Sequence, residues 1–102
     1  MITSNIINNK GNEALNQYTI EDLNFVKFQS YNSLIAIYDK NTKILTFGCD
    51  WDYSPTTLKH LKIWLTNNCY SIYNGLEYHK NGKATLQYAI DNDIIQYDGG
   101  MR

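Results

Sequence analysis

The pattern of apolar and polar positions changes character along the chain. Over residues 1–24 no period holds. Asn9-Lys10-Gly11-Asn12 is a turn cluster, and Glu13 to Tyr18 fits a short helical turn as well as an extended strand. From Phe25 to Phe47 the pattern is that of strands. Phe25, Val26 and Phe28 form a short run ending at Ser30-Tyr31-Asn32, and Leu34 to Tyr38 is an apolar run of strand length, rich in β-branched and aromatic residues. Asp39 to Lys43 is a polar turn, and Ile44 to Phe47 returns from it, which predicts a β-hairpin. The run at 34–38 does not alternate. That predicts a central strand covered on both faces, or by helix on one and the N-terminal arm on the other.

A helical period then takes over. Ser54 is a good N-cap and Pro55 suits the first helical position, where no N–H is needed. Leu58, Leu61 and Leu65, with Trp64 widening the stripe, make one apolar face; Lys59, Lys62 and Thr66 fall elsewhere, and Asn67-Asn68 ends the helix. Asn74-Gly75 and Asn81-Gly82 are turn signals, with Leu76 and Tyr78 between them in a short strand or ordered loop. A second helix starts near Lys83, shows Leu86, Ala89 and Ile90 on one face, and stops at Asp91-Asn92-Asp93. Ile94 to Tyr97 reads as a last short strand and Gly99 to Arg102 as a frayed tail. The expectation is one α+β domain over residues 1–102: an antiparallel sheet of three to five strands with two helices packed on one face.

Length and charge narrow the function classes. A chain of 102 residues has room for one core and little room for a deep cleft as well. Nine Lys and Arg stand against ten Asp and Glu, for a net charge of −1. That balance lacks the basic footprint of a duplex-binding protein and the acidity of a DNA mimic. No apolar segment approaches the roughly 18 residues that span a membrane, and Met1 to Lys10 lacks the form of a secretory signal. A cytoplasmic location is expected, with Cys49 and Cys69 reduced there. The many Tyr and Asn residues are read first as AT-rich coding.

Chemistry-bearing residues are sparse. Cys49, Cys69, His60 and His79 include no close pair of the kind structural zinc uses, and Asp50 with Asp52 is a weak addition. No nucleophile elbow and no Gly-rich phosphate loop is present. The expectation is a protein without catalysis, cofactor or metal. The densest polar and aromatic stretch is Asp50 to His60. Its helix start has free N–H groups and a partial positive charge, so Ser54, Thr56, Thr57, Lys59 and His60 could hold an anion. The plainer reading is a capped helix start with Trp51 and Tyr53 packed across the hairpin. Tyr70, Tyr73 and Tyr78 form a second aromatic cluster. With Arg102 the only arginine, interface use fits these rings better than base stacking.

Two segments carry a resemblance: Ser30-Tyr31-Asn32-Ser33-Leu34-Ile35-Ala36-Ile37-Tyr38-Asp39 and Tyr53-Ser54-Pro55-Thr56-Thr57-Leu58-Lys59-His60-Leu61. They resemble the S-Y-x-x-L-I-A strand and Y-S-x-T-T-x-K-H-L helix start of small uncharacterised proteins encoded by phages and mobile elements of low-GC Gram-positive bacteria. The resemblance covers roughly residues 30 to 65. It implies a setting, by analogy with anti-CRISPR and anti-restriction proteins, in which the chain blocks a host defence enzyme, such as a CRISPR nuclease, by direct contact. The contact surface is then expected on Asp50, Trp51, Asp52 and Tyr53 and on Tyr70, Tyr73 and Tyr78, with the two aspartates facing basic groups of the partner. The alternative is a small nucleic-acid-binding regulator that uses the Ser54–Lys62 helix start, with Lys59, His60 and Lys62 and nearby aromatics. A homodimer through an exposed sheet edge is compatible with either.

Overall fold

The structure, a computed structural model, describes residues 1–102. Strands β1 (Ile2–Ile7), β2 (Glu13–Glu21), β3 (Phe25–Ser30), β4 (Ser33–Asp39) and β5 (Leu45–Gly48) come first. Helices α1 (Pro55–Asn68), α2 (Tyr70–Asn74) and α3 (Gly82–Asp91) follow, and β6 (Gln96–Asp98) ends the order. The six strands make one sheet in sequence order. The first five form an antiparallel meander, while β6 runs parallel to β5, with Phe47 opposite Tyr97. A parallel neighbour requires a crossover, and the three helices supply it.

Alternation along β3 sets the two faces. Val26, Phe28 and Ser30 are buried, whereas Phe25, Lys27 and Gln29 between them are half-exposed. The buried face meets α1 through Leu61, Trp64 and Leu65, and α3 through Leu86 and Ala89, in a single cluster with Ile6, Ala36, Leu45 and Phe47. Phe28 stacks on Trp64 with ring centroids 6.2 Å apart. The α1 seam also contains Thr57 and His60, so it runs 57, 60, 61, 64, 65, the i, i+3, i+4, i+7, i+8 spacing of a core-facing helix.

Several expectations are corrected. The sheet has six strands and is mixed, where three to five antiparallel strands were expected, and there are three helices instead of two. Residues 1–24 account for part of the excess: they form the β1–β2 hairpin. Its pattern is obscured because the register slips between Asn5 and Ile7 and Asn16 takes φ 62° within β2. The parallel β6 accounts for the rest. The non-alternating run at 34–38 has a local cause. A register shift between Phe28 and Gln29 puts a bulge in β4, so that Ile35 and Ala36 are both buried in succession. Gly99 to Arg102 is held down, because Met101 O accepts from Cys49 N at 3.2 Å and Met101 N donates to Asp98 O. A Cβ on Gly48 would lie 2.6 Å from Met101 O, so only glycine admits this contact.

Candidate functional site

The largest cleft, about 490 Å³, opens between the β3–β4 turn and the start of α1. Ser30, Tyr31, Asn32, Ser33 and Ile35 line one wall; Asp50, Tyr53, Ser54, Thr56 and Thr57 line the other. The two segments that carry the resemblance therefore meet across one cavity. Their junction is a chain of hydroxyls. Ser54 Oγ donates to Thr57 Oγ1 at 3.1 Å and accepts from Thr57 N at 3.1 Å, while Thr57 Oγ1 and Ser30 Oγ share a hydrogen bond of 3.2 Å. The same bonds cap α1 and tie it to β3.

The lip of the cleft is conformationally unusual. Tyr31 has φ 55° in the two-residue turn between β3 and β4. Gly or Asn is the ordinary occupant of such a position. Tyr31 N donates to Asn16 O at 2.7 Å, so the turn is locked to the β2 bulge, and both residues have left-handed backbones. Beside them Gln17, opposite Ser30 in register and 1% exposed, has an amide with no hydrogen-bond partner in the protein. A buried polar group in that condition costs about 1–3 kcal/mol per group.

The expected anion site is split. Ser54, Thr56 and Thr57 line the cleft, but His60 is 8% exposed and its Nδ1 pairs with Thr56 O at 2.8 Å. Lys59 lies with Lys62 in a separate depression beside Asn9 and Ile63. Thr57 N is taken by Ser54 Oγ and Leu58 N by Ser54 O, and Pro55 has no N–H, so little donor capacity is left at the helix start. Asp50 is the only formally charged residue lining the cleft, and it is negative. The cavity thus suits a hydrogen-bond donor or a cation better than an anion.

The expected contact surface is also partly redistributed. Trp51 is 3% exposed and packs on Phe47 at 5.6 Å between ring centroids, so it belongs to the core. Asp52 pairs with Lys83 at 3.5 Å, away from Asp50. Tyr53 is 80% exposed, and Tyr70 and Tyr78 are exposed as well. Tyr73 is half-buried in a groove with Lys62, Leu76 and Tyr78, and burial raises its hydroxyl above the ordinary tyrosine value. Tyr31, Asn32 and Gln17 are additions that sequence reasoning did not place at the site. No three His, Cys, Asp or Glu side chains converge in an arrangement able to hold a metal. No helix is long and apolar enough to cross a membrane.

These features define an α+β domain with a mixed six-stranded sheet, one helical layer, and a hydroxyl-lined cleft where the helical layer begins. The chain belongs to DUF8033, a family of unknown function whose model matches residues 1–80. No curated protein and no solved structure matches it. The matched span contains all the cleft residues and stops before α3 and β6.

Proposed function

We propose that this chain is a phage- or mobile-element-encoded inhibitor that binds a host defence enzyme, such as a CRISPR nuclease, directly and without catalysis in the host cytoplasm. The observation that carries the reading is the cleft. Both resemblance motifs line it, its one formal charge is Asp50, and Tyr31 and Tyr53 stand exposed at its rim. A projecting Arg or Lys of a partner would find a carboxylate, several hydroxyl acceptors and two aromatic faces there. Tyr70 and Tyr78, on the segment that follows the other end of α1, are further exposed aromatics. Tyrosine suits such a surface because it offers a large amphipathic contact with few rotatable bonds.

The test is capture from host lysate by the tagged protein, with and without nuclease treatment, read by mass spectrometry. The reading expects one defence enzyme in both samples and its loss with Asp50→Lys or Tyr53→Ala. Equal recovery with both folded variants rejects the cleft as the contact. The nucleic-acid alternative keeps one supporting observation, the shared placement of Lys59 and Lys62. It expects recovery only without nuclease, and direct binding that falls steeply with salt.

A further inference from the structure

The two edges of the sheet differ in a way that points to a second copy of this chain. The β6 edge is three residues long, carries Asp98 and is followed by two glycines. The β1 edge is six residues long, and from Met1 to Asn9 there is no Lys, Arg, Asp, Glu or Pro. Free strands are ordinarily protected by charge, proline, bulges or shortness, because their unpaired N–H and C=O groups template another strand. β1 has a register slip near Asn5–Ile7 and none of the other protections. It is also rimmed by exposed apolar side chains, with Ile2 69% and Ile7 49% exposed and Met1 and Leu15 freer still.

We propose that β1 pairs antiparallel with β1 of a second copy about a two-fold axis through Ser4, joining two sheets into one. Residues opposed in an antiparallel pair share a face, so only registers with the same parity are allowed. Ile6 is buried on the helical face, and Ile2 and Ser4 share that face by alternation. Centring on Ser4 sets Ile2 against the second copy's Ile6 on that face. It sets Met1 against Ile7 on the other. Exposed Met1 and Ile7 thereby cover one another, exposed Ile2 is set beside an Ile6 that is already buried, and no charge is brought onto the axis. The pairing leaves the cleft open, since its lining residues lie between Ser30 and Thr57, so the inference stands whatever the monomer binds.

The full chain is tested by sedimentation velocity from about 1 to 200 µM, alongside Ser4→Lys and Ser4→Cys. The cysteine variant is made in a Cys49→Ser background, because Cys49 is the more accessible of the two free thiols. Ser4 is exposed, so both substitutions leave the monomer fold unchanged by circular dichroism. The expected results are a concentration-dependent dimer, weakening by about tenfold or more with lysine on the axis, and a disulfide-linked dimer with cysteine. Opposed Cα atoms lie about 4.5–5.5 Å apart, within disulfide reach. A wild-type monomer at 200 µM overturns the proposal, as does a dimer indifferent to Ser4→Lys or a Ser4→Cys variant that does not cross-link.

Discussion

Tyr31 and Asn16 hold left-handed backbones and are joined by a hydrogen bond. For a residue with a Cβ this conformation costs roughly 1–2 kcal/mol, least for Asn. The cost is concentrated at the rim of the cleft, where the Tyr31 ring faces outward. Tyr31→Asn is therefore expected to raise stability by about 1 kcal/mol in urea titration while reducing capture of the partner. A loss of stability would mean that the ring packs more than it strains. The site at this scale was half legible. Ser54 and Pro55 announce themselves by type and spacing, because capping is a local rule. Gln17, Tyr31 and Asn32 do not, because what matters is a register between strands and a backbone angle. His60 misled for a related reason: its position on the helix start suggests charge, yet its angle around the axis directs it inward beside Leu61 and Trp64.

Among the elements, α1 has the most explicit origin. Ser54 caps it, Pro55 opens it, and the hydroxyl chain through Thr57 to Ser30 anchors it to β3. Ser54→Ala removes one N–H acceptor and one buried hydroxyl partner together. It is expected to cost about 1–2 kcal/mol by chemical denaturation. Ser54→Asp, which keeps the cap acceptor but cannot donate to Thr57, should recover most of that loss. The β4–β5 hairpin was readable because Asp39 can accept from Asn41 N and Thr42 N within its own turn, and it does so at 2.8 and 3.1 Å. The β1–β2 hairpin was not, since irregular pairing erases the period of two on which strand recognition depends. The direction of β6 was also hidden. Its sequence shows a strand but carries no mark of which neighbour it joins or in which sense.

For the whole molecule, one core holds the sheet, α1 and α3 together, and Cys69 is part of it. Burial pushes its thiol up to about 12 from an ordinary 9.0. Below pH 9 the folded and unfolded chains both keep this proton. Between about 9 and 12 the unfolded chain releases it and the folded chain does not, so stability falls as pH rises, by at most about 1.4 kcal/mol per unit. Burial of Tyr73 acts in the same direction from about pH 10 upward. Denaturation midpoints measured from pH 8 to 11 should drop for the native chain and drop less for Cys69→Ala. In native protein at neutral pH, a thiol reagent should label Cys49 alone.

The parallel pairing of β5 with β6 has a consequence for how the chain reaches its native state. Each step of the meander joins neighbours a short loop apart, while Thr46 and Gln96 meet across roughly fifty residues. Contacts between distant segments bear a larger loop-closure entropy, and they set the pace of folding. The meander can organise early on its own local contacts, but its apolar face stays open to water until the helices arrive. Docking of α3 and β6 is then the closing event. During that interval the exposed surface is the one most prone to wrong association, and the order in which a ribosome delivers the segments prolongs it.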